Sequence, residues 1–149
     1  LGAVLTDDRL TADIIADGIH TDPSMVKLFL NAKGPERAIL ITDAISATGM
    51  GEGKYKLGPL EVEVKDGRCE YQGRLAGSVL TLDRAIRNVM NFAEWKLQEA
   101  VRLASLNPAG LLGISGQKGT ITADSDADLV VLTPMGEVGQ TFIRGESGV

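Results

Sequence analysis

Two short apolar runs, ADIIADGIH over residues 12–20 and AILITD over residues 38–43, each end on a polar group, and the segment between them reads as a helix. Residues 12–16 are mostly aliphatic without clean alternation, as expected of a strand covered on both faces. Thr21 and Asp22 stand before Pro23, where an oxygen side chain caps free N–H groups and proline fits the first turn. Met25, Val26, Phe29 and Leu30 recur at helical spacing, and Gly34-Pro35 stops the helix. Residues 38–41 form the second buried strand. Strand, helix and strand in this order predict a right-handed parallel crossover. His20, the only histidine, and Asp43 then emerge at the same carboxyl edge, where α/β proteins gather their chemistry.

Beyond Asp43 the run AISATGMGEG is a loop of small residues, either a mobile or ligand-facing segment or a plain connection. Its GEGK is no phosphate-cradling loop, because the full spacing and a following Ser or Thr are absent. Leu60, Val62 and Val64 alternate strictly before Asp66-Gly67, which predicts an antiparallel hairpin excursion near residues 55–72. GRLAGSVLTLDRAIRNVMNFA then reads as a glycine turn entering a helix whose apolar side is Leu82, Ala85, Ile86, Val89 and Met90. Gly77 and Ser78 precede that helix, where Ser78 serves either as its cap, which spacing alone favours, or as a ligand contact. A further helix is expected over about Lys96 to Ser105, and Asn107-Pro108 opens a short one ended by Gly113. Two β runs, Leu129 to Leu132 and Gln140 to Ile143, flank a Pro-Met-Gly turn. The expected organisation is an α/β unit over residues 1–115 and a small all-β unit over 116–149.

The 149 residues are 44% hydrophobic, enough for one core, but they begin with Leu1, so the chain reads as a fragment. A net charge of −5 argues against a nucleic-acid partner, since phosphate backbones are held by clustered Lys and Arg. Cys69 is the single cysteine and forms no internal disulfide. No signal-peptide pattern and no run near the ~20 apolar residues of a membrane span are visible, which points to a cytoplasmic protein.

A carboxylate and an imidazole at neighbouring strand ends are suited to moving a proton between a water nucleophile and a leaving group. The plainer alternatives are a turn cap or ion pair for Asp43 and a satisfied hydrogen-bonding group for His20. One His, one Cys and no tight acidic cluster do not furnish the three or four ligands of a self-contained metal site.

The successive motifs IIADGIH, LITDAISATGMGEGKYKLG, GRLAGSVLTLDRAIRN, AVRLASLNPAGLLGI and KGTITADSDADLVVL resemble the C-terminal part of N-acetylglucosamine-6-phosphate deacetylases, within the amidohydrolase superfamily. The resemblance covers essentially the whole chain but under half of such an enzyme. It implies the last strands and helices of a distorted (β/α)8 TIM barrel with part of a small β-sandwich. The implied reaction releases acetate from N-acetylglucosamine 6-phosphate, leaving glucosamine 6-phosphate. Asp43 matches the aspartate that takes the water proton and hands it to the leaving amine. Asp17, Gly18, Ile19 and His20 match one substrate-binding segment, and Ala76, Gly77 and Ser78 a second. The implied cofactor is a divalent metal of the zinc type, which lowers the pKa of its bound water to about 7. Its glutamate and histidine ligands, and a phosphate-binding arginine, belong to strands outside this chain, so the chain is expected to be inactive alone and to expose uncovered apolar faces. A homodimer is implied as well. Two other readings use the same residues: an amidohydrolase acting on a cyclic amide, and a non-catalytic sugar-phosphate-binding module.

Overall fold

A computed structural model describes residues 1–148. The expected crossover is present. Strand β1 (Ala12–Ile15) and strand β2 (Ala38–Ile41) pair in parallel, from Ala12 opposite Ala38 to Ile15 opposite Ile41. A one-turn helix α1 (Gly2–Thr6) precedes β1, and helix α2 (Pro23–Arg37) joins the two strands. Asp22 caps α2 by accepting from the Ser24 N–H at 2.8 Å, with Pro23 in the first turn. Gly34 leaves the helix at φ 67°, and Pro35 begins a last turn, so the break falls where the sequence places it. Of the expected apolar face, Val26, Phe29 and Leu30 are buried but Met25 is exposed; Lys33 occupies the inner position instead. Its ammonium donates to the carbonyls of Val4 at 2.8 Å and Asp7 at 3.1 Å, which satisfies a charge that burial otherwise penalises.

Helices α3 (Leu82–Ala93) and α4 (Leu97–Arg102) pack with α2 over the two-stranded ladder. Ile14, Ala16, Leu30, Leu40, Ala85, Val89 and Leu103 meet in this core, while Leu82 at the start of α3 stays partly exposed. The other ladder face is less covered: Asp13 is exposed and Ile41 only half-buried.

The largest departure from the sequence reading lies between Gly53 and Ser78. Four strands, β3 (Gly53–Leu57), β4 (Leu60–Lys65), β5 (Arg68–Tyr71) and β6 (Arg74–Ser78), form one antiparallel meander. Arg74–Ser78 is therefore a strand and not a turn entering a helix. Its Ala and Gly content is poor in strand formers, and pairing with β5 overrides that weak local preference. A second small core forms beneath the sheet from Val62, Val64 and Cys69, onto which Ile45 and Ala47 fold. The first half of the 44–53 loop is thus anchored.

Helix α5 (Leu106–Leu111) follows α4, and β7 (Leu129–Leu132), β8 (Val138–Ile143) and β9 (Glu146–Ser147) form a three-stranded antiparallel sheet. Among the described residues no helix is long and apolar enough to cross a membrane. Asn107 explains the Asn-Pro-Ala motif at the head of α5. Its side-chain amide, 8% exposed, donates to the carbonyls of Pro35 at 2.8 Å and Ala38 at 2.7 Å, pinning the start of β2. Removing it strands two carbonyls in a dry environment. Asn107→Ala is expected to lower unfolding free energy by about 2–3 kcal/mol in urea titration. An unchanged midpoint and slope would show that the motif does not hold β2.

Candidate functional site

The site is built from the carboxyl ends of β1 and β2. The last ladder pair is Ile15 with Ile41, so Asp17 and Asp43 stand at equivalent places two residues further on. The segment after β1 is a closed hydrogen-bonded unit. Asp17 Oδ1 accepts from the N–H groups of Ile19 and His20, both at 2.8 Å, and Oδ2 lies 2.6 Å from His20 Nδ1. Asn88 on α3 donates to the Ala16 carbonyl at 2.8 Å and ties the segment to the core. Gly18 makes the turn at φ 76°, and a Cβ there would lie 3.3 Å from the Phe92 ring, so a side chain is disfavoured on both counts.

Burial of Asp17, whose side chain is 7% exposed, opposes its ionisation. The His20 ring and the two backbone N–H groups outweigh that cost and hold its carboxyl below the ordinary carboxylate range. An ionised Asp17 can only accept, so Nδ1 of His20 carries the proton and Nε2 is the atom left to face a ligand. The carboxylate that orients His20 is therefore Asp17, three residues away, and not Asp43 on the adjoining strand end.

Asp43 is the opposite case. Its side chain is exposed, and among the described residues it forms neither an ion pair nor a side-chain hydrogen bond. It is neither a turn cap nor a structural ion pair. Its backbone is in the left-handed region at φ 48°, which non-glycine residues other than Asn and Asp seldom occupy. The main chain around it is held from β6: the Ser78 N–H donates to the Asp43 carbonyl and the Ile45 N–H to the Ser78 carbonyl, both at 2.9 Å.

Three of the expected contact residues look inward from β6. Ala76 packs into the small core, and its carbonyl accepts from the Cys69 thiol. Gly77 adopts φ 79°, with no space for a side chain beside Ile45. Ser78 is 2% exposed, and its hydroxyl donates to the Thr42 carbonyl and accepts from the Leu80 N–H. It does not cap α3, whose N-cap is Thr81. The concavities lined by Glu63, Lys65 and Arg68, and by Lys54, Glu61 and Gln72, lie along the meander and include neither His20 nor Asp43.

No group of three or more His, Cys, Asp or Glu side chains among the described residues is placed to hold a metal. A single histidine without two or three further ligands beside it does not fit a metal centre of its own.

Residues 8–148 match the Amidohydrolase family. The chain belongs to that family. This amidohydrolase chain is 40% identical over 152 residues to an N-acetylglucosamine-6-phosphate deacetylase of Bos taurus, covering 96% of the chain and 37% of the bovine protein. It is 39% identical over 147 residues to an N-acetylgalactosamine-6-phosphate deacetylase of Escherichia coli, covering 98% of the chain and 39% of that relative. The crystal structure of an N-acetylglucosamine-6-phosphate deacetylase from Thermotoga maritima superposes with a TM-score of 0.90 at 37% identity, over 98% of this chain and 40% of that one. The amidohydrolase chain thus spans well under half the length of these relatives.

Asn88 and Asn107, the two amides that pin the start and end of the ladder strands, were not legible as functional from spacing. An Asn at an otherwise apolar helix position is the signal that marks them. The Asp17 pairing has a pH consequence. Because its folded-state pKa is depressed, its stabilisation is complete above the unfolded value of about 3.9 and is lost as pH falls through the folded one. Asp17→Asn is expected to lower stability by about 1.5–3 kcal/mol at pH 7 and to flatten the acid limb below about pH 4 in thermal melts. An identical acid limb in the variant would remove Asp17 from this role.

Proposed function

We propose that this chain is the C-terminal part of an N-acetylglucosamine-6-phosphate deacetylase, in which Asp43 moves the proton and the Asp17–His20 segment holds the sugar. The observation that carries the reading is that a free, exposed carboxylate and an imidazole oriented by Asp17 both follow the carboxyl ends of a parallel strand pair. The relatives' names give the substrate class.

In this reading β1 and β2 are the last two strands of a (β/α)8 barrel, and the β7–β9 sheet is part of a small sandwich. The half-covered ladder face and the exposed Val130, Val131 and Ile143 support further chain packing there. Asp43 accepts a proton from the water that attacks the acetyl carbonyl. It then delivers that proton to the sugar nitrogen as the C–N bond breaks, so water and amide become acetic acid and amine, which ionise to acetate and ammonium. His20 Nε2, with Nδ1 locked by Asp17, hydrogen-bonds the bound sugar. Gly18, Ile19, Ala76 and Gly77 shape the backbone on either side, and Ser78 closes that wall from within.

A divalent metal, zinc in the simplest case, supplies Lewis-acid activation of the water, held by residues outside this chain. The chain by itself therefore performs no turnover. A homodimer in the cytoplasm, acting on a phosphorylated sugar, completes the proposal. The Escherichia coli relative brings in the galactosamine epimer as a second substrate, differing only at one hydroxyl.

The test is acetate release by the full-length protein from both amino-sugar phosphates and from a cyclic amide. Turnover of an amino-sugar phosphate is expected, falling about 10²–10⁴-fold in Asp43→Asn with binding retained. Turnover of the cyclic amide alone would replace the substrate class. Binding without acetate release would make the protein a sugar-phosphate-binding module.

A further inference from the structure

We propose that Ser78 is a positioning residue for Asp43: one buried residue bonds to backbone groups at positions 42, 43 and 45 and so fixes where an otherwise unheld carboxylate stands. The inference rests on the proton-transfer role proposed for Asp43. It assigns Ser78 a task other than touching the substrate.

The Asp43 carboxylate has no partner among the described residues, so the placement of its main chain sets the point from which the side chain departs. That main chain turns through the left-handed region at φ 48°, which an Asp tolerates, and it is tied to β6 on both sides of the turn. Ser78 supplies those ties. Its hydroxyl donates to the carbonyl of Thr42, its N–H to the carbonyl of Asp43, and its own carbonyl accepts from the N–H of Ile45. The Thr48 hydroxyl reaches the same carbonyl at 3.5 Å. The Ser78 hydroxyl is in turn fixed by the Leu80 N–H at 3.1 Å, so both of its hydrogen-bonding directions are used inside the protein. Ser78 is 2% exposed, which leaves no path for the hydroxyl to a ligand.

Gly77 makes the approach possible. A Cβ there would stand 2.5 Å from Ile45 Cγ2 and 3.5 Å from the Asp43 carbonyl, so any side chain would push β6 off the 42–45 segment. The parallel bridge between Ala44 and Ser78 is the sole strand-type contact of β6 with the chain that leaves β2. The four-stranded meander is thus attached at its last residue to the turn that carries Asp43.

The measurement compares Ser78→Ala, Asp43→Asn and the double variant in the full-length protein, with acetate release, KM and thermal melting for each. Ser78→Ala is expected to lower kcat about 10- to 100-fold, the scale of a small misplacement of a catalytic group, with KM within about 2-fold. In the Asp43→Asn background the same change is expected to cost nothing further, because the carboxylate it positions is already gone. Ser78→Cys fills the site with a slightly larger thiol and weakens the bond to Thr42; it is expected to show the same kcat-only loss, and it carries the test if the alanine variant does not fold. Full activity in both Ser78 variants, a rise in KM with kcat unchanged, or an additive loss in the double variant would each overturn the positioning role. Retained activity in Asp43→Asn alone would instead remove the proton-transfer reading on which it rests.

Discussion

The parallel register of β1 against β2 sets the geometry of everything that follows. With Ile15 opposite Ile41, the two chains leave the ladder at the same height and on the same edge, and the residues two places on are brought side by side. A ladder of four pairs is too short to be stable alone. It is held by α2, α3 and α4 over one face, by Asn107 at the start of β2 and by Asn88 at the end of β1. Slipping the register by one residue would turn the buried Ile14 and Leu40 away from the helices. The chemistry thus depends on packing well away from it.

Asp17 and Asp43 are alike in type and position, and their surroundings give them different tasks. Asp17 is enclosed, accepts hydrogen bonds on both oxygens and is kept ionised, which suits it to orient an imidazole and not to exchange protons. Asp43 has no grip on its carboxylate and faces open space, which suits it to exchange protons with a bound molecule. The environment, and not the residue type, distinguishes the enclosed Asp17 from the exposed Asp43, to which the proposal gives the proton. With no partner for its carboxylate, Asp43 depends on its main chain for placement, and β6 holds that main chain through Ser78.

Much of the fold was legible in the sequence because local signals agreed with the final packing. Asp22-Pro23, Gly34-Pro35 and the aliphatic run 38–41 each mark a boundary that the structure keeps. The alternation of Leu60, Val62 and Val64 gave the hairpin for the same reason. Residues 74–78 read locally as a turn because Ala76, Gly77 and Ser78 carry no strand preference, and only pairing with β5 makes them a strand. Within the site, the strand ends of Asp43 and His20 followed from periodicity. The partner of His20 did not, because an i, i+3 contact in a turn leaves no periodic trace. Ser78 was read as a cap or ligand contact since a serine beside a glycine is ambiguous until its hydrogen bonds are seen.

The chain belongs to the Amidohydrolase family, and in the proposed reading it contributes Asp43 and His20 to the reacting edge. The most direct test is a structure of the full-length Asp43→Asn protein with N-acetylglucosamine 6-phosphate bound. The account expects the side chain of residue 43 within about 2.6–3.2 Å of the acetamido group, directly or through one water, with His20 Nε2 on the same sugar. A sugar bound elsewhere, or residue 43 turned away from its acetamido group, would contradict it.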